Sequence, residues 1–209
     1  MARIQLDDLM TRIRPLDEAA MAQARQRQDT LTKPAGSLGR LEEISVRLAG
    51  IFGTATPEIH RKVIILAAGD HGVSAEGISA YHQEVTAQMV LNFLGGGAGI
   101  NVLARHVGAE VVVVDAGVAA ELLAHPDLYS VKLGRGTANI AQGPAMSRAQ
   151  ALRSIEEGAQ LALEQVSSSA DILGTGNMGI RQHRSSRARR VDHLGGAHPP
   201  SRGDLRGAE

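Results

Sequence analysis

Apolar positions recur with changing period along the chain, and the changes mark its elements. Residues 17–31 are a polar stretch entered at Asp17, a residue suited to capping a helix start. The Gly/Pro-rich string Lys33–Arg40 then reads as a loop. Leu41, Ile44, Leu48 and Ile51 follow at helical spacing, so the first fifty residues predict two helices around an elbow. Lys62–Gly69 is a short β-branched run, apolar on both faces and stopped by glycine, which predicts a buried parallel strand. Val85, Met89, Val90 and Phe93 mark one helix face, and Gly95–Gly97 breaks it. Ile100, Leu103, Ala104 and Val107 mark a second helix, closed by Gly108. Glu110–Asp115 (EVVVVD) is the clearest strand, and Val131 and Leu133 suggest another short one. Ser147 and Gln150 form a capping box for a helix carrying Leu152, Ile155, Ala159 and Ala162 on one face. Asp171–Leu173 reads as a strand stopped by Gly174–Gly176.

The alternation of helices and strands favours an α/β fold with a parallel sheet flanked by helices. Ligands of such sheets bind beyond the carboxyl ends of strands. The polar strings at Asp70-His71, Asp115–Gly117 and Gly174–Gly179 all fall at predicted strand ends. Three segments are expected: an N-terminal helical segment over 1–58, an α/β region over 59–180, and a tail over 181–209.

Composition narrows the function classes. Lysine plus arginine and aspartate plus glutamate number 22 each, so no charge excess points to nucleic acid or an anionic membrane. There is no cysteine, which excludes disulfides and thiolate metal sites. Aromatic residues make up 2% of the 209, so the core must be aliphatic. No stretch is long enough for a signal peptide, and no segment is expected to approach the length of a membrane span; the chain reads as soluble and cytoplasmic.

Three features carry candidate chemistry. The run Gly174-Thr175-Gly176-Asn177-Met178-Gly179-Ile180 lets backbone N–H groups approach a phosphate, or is a plain strand-to-helix turn. Asp70 and His71 form either a catalytic or ribose-binding pair or an Asx-type turn with a surface histidine. Tyr81, Met89 and Met178 would line a flat apolar pocket, although Met89 taken alone reads as core. No second histidine or carboxylate stands at ligand spacing near His71, so no metal site is expected.

Five strings, in order and at compatible spacing, resemble the nicotinate-nucleotide–dimethylbenzimidazole phosphoribosyltransferases: Lys33–Glu42 (KPAGSLGRLE), Ala68–Val73 (AGDHGV), Glu76–Met89 (EGISAYHQEVTAQM), Gly136–Ser147 (GTANIAQGPAMS) and Gly174–Ile180 (GTGNMGI). The resemblance covers about residues 10–180. It implies a Rossmann-like large domain, a small helical domain built from both chain ends, and a homodimer. The implied reaction moves phosphoribose from nicotinate mononucleotide to 5,6-dimethylbenzimidazole in cobalamin biosynthesis, with no metal or organic cofactor. By matching position, Tyr81, Met89 and Met178 would face the benzimidazole, and Gly176 and Gly179 would approach the phosphate. Asp70, His71 and Asn139 would lie on the rim of the site. Asn177 stands where the family usually has an acidic residue, which keeps the size and loses the charge.

The resemblance stops after Ile180. The family continues Gly-Asn-Thr-Thr and an Ala-rich helix, whereas this chain reads Arg181-Gln182-His183. One base added before GGC AAC ACC turns Gly-Asn-Thr into Arg-Gln-His, and the following residues to Asp192 allow the same shift. Residues 181–209 therefore read as an out-of-frame tail too polar to pack. The family's C-terminal half, with its general-base glutamate, lies outside this sequence, and the chain is expected to be inactive. The alternatives are a non-enzymatic module that binds benzimidazole or nucleotide, and an interaction protein with a functional Arg-rich tail.

Overall fold

The computed structural model describes residues 4–77 and 79–180. The expected tail over 181–209 lies outside the described residues. By packing, the described residues divide into two compact units, one made of residues 4–63 and 155–173, the other of residues 64–154 and 174–180.

The first unit is helical. After a short α1 (Leu6–Arg12), α2 (Glu18–Thr30) is capped by Asp17, whose carboxylate accepts from the Ala20 N–H at 2.9 Å. Helix α3 (Arg40–Phe52) ends at Gly53 in the left-handed conformation. Met21, Ala24, Val46 and Ala49 form the core between α2 and α3. Gly50 lets the two helices approach, because a Cβ there would lie 2.7 Å from the Met21 Cγ and Sδ. The string Lys33–Glu42 builds the elbow: the Lys33 ammonium pairs with the Glu42 carboxylate at 2.7 Å, and the Leu38 N–H donates to the same oxygen at 3.2 Å.

The apolar stripe expected to bury α3 does not. Leu41 and Ile51 are each 63% exposed and Ile44 is also exposed, while the buried face is Val46, Ala49 and Gly50. Helix α6 (Arg148–Ser167) repeats the pattern. Leu152 and Ile155 are exposed, and Leu161 is buried beside Glu156 and Gln165. Gln165 is held inside because the Arg61 guanidinium donates to its side-chain oxygen at 3.2 Å and to its carbonyl at 3.3 Å.

The second unit holds most of a four-stranded parallel sheet of order β3-β2-β1-β4. The strands are β1 (Lys62–Gly69), β2 (Ala109–Gly117), β3 (Leu128–Ser130) and β4 (Ile172–Met178). Helices α4 (Val85–Leu94) and α5 (Gly99–Val107) make the crossover from β1 to β2. Val90, Phe93, Val113, Leu66 and Ala68 are the centre of this core. Between α4 and α5 the turn is fixed by the buried Asn101, which donates to the Phe93 carbonyl at 3.1 Å and accepts from the Ala98 N–H at 3.3 Å.

Three further expectations are corrected. The third strand is Leu128–Ser130 rather than a strand at Val131 and Leu133; Val131 still donates to the Asp115 carbonyl at 3.0 Å as the strand ends. Glycines 174 and 176 do not stop the last strand but lie within it. A Cβ on Gly176 would meet the Leu66 Cδ1 at 3.0 Å, so the neighbouring strand's side chain occupies that space. Finally, Val85–Val107 does reach the length and mean hydropathy (1.2) of a membrane span. It is broken at Gly95–Ala98 into two helices that bury Val90, Phe93 and Ala104, as the core helices of a folded sheet layer do. On α5 only part of the predicted face is covered: Ala104 is buried, and Leu103 and Val107 are exposed.

Candidate functional site

Strand order sets the place of the site. The chain moves from β1 outward to β2 and β3, then returns to the opposite side of β1 for β4. The connection from β1 runs to β2 on one side and the connection from β3 crosses to β4 on the other, which opens a crevice at the carboxyl ends of β1 and β4. A cavity of about 610 Å³ occupies that place, within the range of small-molecule sites. Its walls are the β1 end (Ala67–His71), the β2 end (Ala116, Gly117), the β4 end (Asn177, Met178), residues 133, 134 and 136–138 of one loop, and residues 144–147, 150 and 154 around the start of α6.

The loops are drawn in by backbone hydrogen bonds and by glycines that have no room for a side chain. The Asp70 N–H donates to the Gly117 carbonyl and the Thr137 N–H to the Asp70 carbonyl, both at 3.0 Å. A Cβ on Gly72 would lie 2.6–2.7 Å from backbone atoms of Thr137, Ala138 and Asn139. A Cβ on Gly179 would lie 2.3 Å from the Gly69 carbonyl oxygen. Both glycines are thus required by close backbone approach. Helix α6 begins at the cavity through the expected capping box: the Ser147 N–H donates to the Gln150 side chain at 2.9 Å, and the Gln150 N–H to the Ser147 hydroxyl at 3.2 Å.

Two buried aspartates stand at adjacent strand ends and differ in pairing. Asp115 accepts from the Gly117 and Val118 N–H groups at 3.0 and 2.8 Å and lies 3.5 Å from the Lys132 ammonium. Asp70 is 3% exposed; its Oδ2 accepts from the Ala119 N–H at 2.8 Å, and its Oδ1 has no hydrogen-bond partner among the described residues. Burial holds the His71 imidazole below its ordinary pKa, against the opposing pull of the Asp70 carboxylate, so His71 is neutral at pH 7.

The structure brings Asp70, His71, Asn177 and Met178 together in the cavity wall. The walls do not include Tyr81, Met89, Gly176, Gly179 or Asn139. Tyr81 is 68% exposed, and Met89 packs against the core under the sheet. Asn139 turns outward to the Glu76 carboxylate and accepts from the Ala141 N–H at 3.0 Å. Sequence reasoning missed Thr137, Ser147, Gln150 and Ser154 as wall residues. The last three occupy positions 147, 150 and 154, one face of a helix start, and only the cap was legible there. Among the described residues there is no cluster of three or more potential metal ligands.

Comparison with known proteins identifies the family and agrees with the fold. Residues 13–198 match the profile of a family described as Phosphoribosyltransferase. The chain is 55% identical over 183 residues to the nicotinate-nucleotide–dimethylbenzimidazole phosphoribosyltransferase of Roseiflexus sp. (strain RS-1), covering 88% of this chain and 52% of that protein. It is 58% identical over 175 residues to the protein of the same name from Chloroflexus aggregans, covering 84% and 50%. The crystal structure of the enzyme of that name from Thermus thermophilus superposes with a TM-score of 0.80 at 48% identity, over 86% of this chain and 55% of that one. The chain therefore spans about half the length of the curated relatives it matches. With the profile matched over most of its residues and the same parallel sheet in the solved structure, the chain belongs to the nicotinate-nucleotide–dimethylbenzimidazole family of phosphoribosyltransferases.

Proposed function

We propose that this chain carries the nucleotide-side part of a phosphoribosyltransferase site, acting in the transfer of phosphoribose from nicotinate mononucleotide to 5,6-dimethylbenzimidazole. In that reaction the bond from C1′ to the pyridinium nitrogen breaks, a bond from C1′ to a benzimidazole nitrogen forms, and the second benzimidazole nitrogen loses its proton. The products are α-ribazole 5′-phosphate and nicotinate. One observation carries the reading. Three of the five family strings, AGDHGV, GTANIAQGPAMS and GTGNMGI, lie far apart in sequence and supply walls of a single cavity.

Asn177 and Met178 are the carried-over contacts that this cavity supports. Tyr81 and Met89 as contacts of the acceptor base, Gly176 and Gly179 as approaches to the phosphate, and Asn139 as a rim residue rest on the resemblance. So do the homodimer and a cytoplasmic setting. The chain is expected to bind nicotinate mononucleotide and dimethylbenzimidazole. The test is incubation of the chain with nicotinate mononucleotide and dimethylbenzimidazole, with chromatography for α-ribazole phosphate and calorimetry for binding. Formation of α-ribazole phosphate supports the proposed reaction. Absence of binding by either substrate overturns the assignment of the cavity.

A further inference from the structure

We propose that the cavity recognises the positive charge of a pyridinium nucleoside, with the Asp70 carboxylate as its counter-charge. The inference rests on the reading above and deepens it, because it names the part of the donor that this chain holds.

The argument begins with two aspartates in closely similar positions. Asp115, at the end of β2, has both kinds of compensation a buried carboxylate needs: two backbone N–H donors and the Lys132 ammonium. Asp70, at the end of β1, is equally buried, has one backbone donor on Oδ2, and has nothing on Oδ1. No lysine or arginine stands among the described residues of the cavity wall. The remaining polar wall groups are His71, Thr137, Ser147, Gln150, Ser154 and Asn177, all uncharged with His71 neutral. The wall therefore carries one negative charge, enclosed by alanines, glycines and methionines that keep the local dielectric low.

In such surroundings an uncompensated charge acts strongly on whatever enters. A phosphate in the same space would be repelled by the Asp70 carboxylate, with no lysine or arginine among the described wall residues to offset it. A flat ring with a delocalised positive charge gains attraction, and it finds apolar wall from Met146 and Met178. The donor of the proposed reaction has such a ring, its pyridinium nitrogen being bonded to ribose. This places the pyridinium–ribose part in the cavity and the phosphate outside it.

Nicotinamide riboside and its 1,4-dihydro form make the test, since they share ribose and carboxamide and differ in the ring's charge. Each is titrated into the full chain by calorimetry, with dimethylbenzimidazole in parallel. At least tenfold tighter binding of the oxidised form is expected. In Asp70→Asn, where the amide oxygen keeps the Ala119 bond and the charge is gone, the preference should fall to within twofold. Equal affinity of the two forms for the unaltered chain overturns the proposal without needing any variant. So does a preference that survives Asp70→Asn. If dimethylbenzimidazole binds and neither riboside does, the proposal fails and the phosphoribosyltransferase reading stands. If none of the three binds, both fail.

Discussion

Helices α3 and α4 look alike as sequence and differ as structure. Each carries a stripe of apolar residues at helical spacing. On α4 the stripe is covered, with Val90 at 0% and Phe93 at 7% exposure against the sheet. On α3 Leu41, Ile44 and Ile51 face outward, and the helix is held instead through Val46, Ala49 and Gly50. The period of a pattern fixes which residues share a face, and it says nothing of whether the layer that covers the face belongs to the same stretch of chain. In the sheet unit the strands that cover α4 lie within these residues. In the helical unit the described residues supply one partner for α3, and the helix uses its small-residue face for that partner.

The largest test of this contrast is Phe93→Ala, which should cost about 3–5 kcal/mol in chemical denaturation, as deletion of a buried aromatic does. A cost near zero would show that α4 is no better covered than α3. Next come two glycines that differ in what surrounds them. Gly72→Ala meets the backbone of residues 137–139 and is expected to cost about 3 kcal/mol, with loss of ligand binding at the cavity. Gly50→Ala meets the flexible Met21 thioether and should cost about 1 kcal/mol. The reverse order would mean that the helical unit is the more tightly packed of the two.

Titration separates the units by pH. Burial lowers the His71 pKa from 6.5, so between its folded value and 6.5 the unfolded chain binds the extra proton. Stability of the sheet unit should then begin to fall as pH drops below about 6.5. In the helical unit, Glu42 is lowered from 4.5 by the Lys33 hydrogen bond and then by the Leu38 N–H. Asp171 is lowered from 3.8 by the N–H groups of Arg61 and His60. Both contributions have the same sign as that of His71, are present at neutral pH, and are lost only as pH falls below those ordinary values. Amide exchange followed from about pH 8 to about pH 3 should show the sheet unit loosening first, and His71→Asn should remove that early step. The smallest effect is expected from Leu41→Gln, within about 0.5 kcal/mol because the side chain is already in water. A cost above about 1 kcal/mol would show that something covers the stripe in solution.

The β1 and β2 strands, the caps at Asp17 and Ser147 and the breaks at Gly95–Gly97 and Gly108 were legible because each depends on a few neighbouring residues. β-branched runs and side-chain oxygens at helix starts act locally. The family was legible for a related reason, since five short strings in fixed order are a property of sequence. Gly174 and Gly176 were misread because glycine ends a strand in isolation, whereas here the Leu66 side chain fills the place of a Cβ and the strand continues. The site was legible in half. Asp70, His71, Asn177 and Met178 follow from the rule that strand ends carry function. Thr137, Gln150 and Ser154 do not, because their loop and helix reach the cavity only through backbone contacts made across the sheet's end. Sequence alone thus determined most of the elements, their order and the family. Tertiary structure decided which stripe each helix buries, which glycines are packing sites, and that of two similar aspartates one is paired with a lysine and the other lines a cavity with an oxygen left over. Those outcomes depend on distances between residues remote in the chain, and no local pattern carries them.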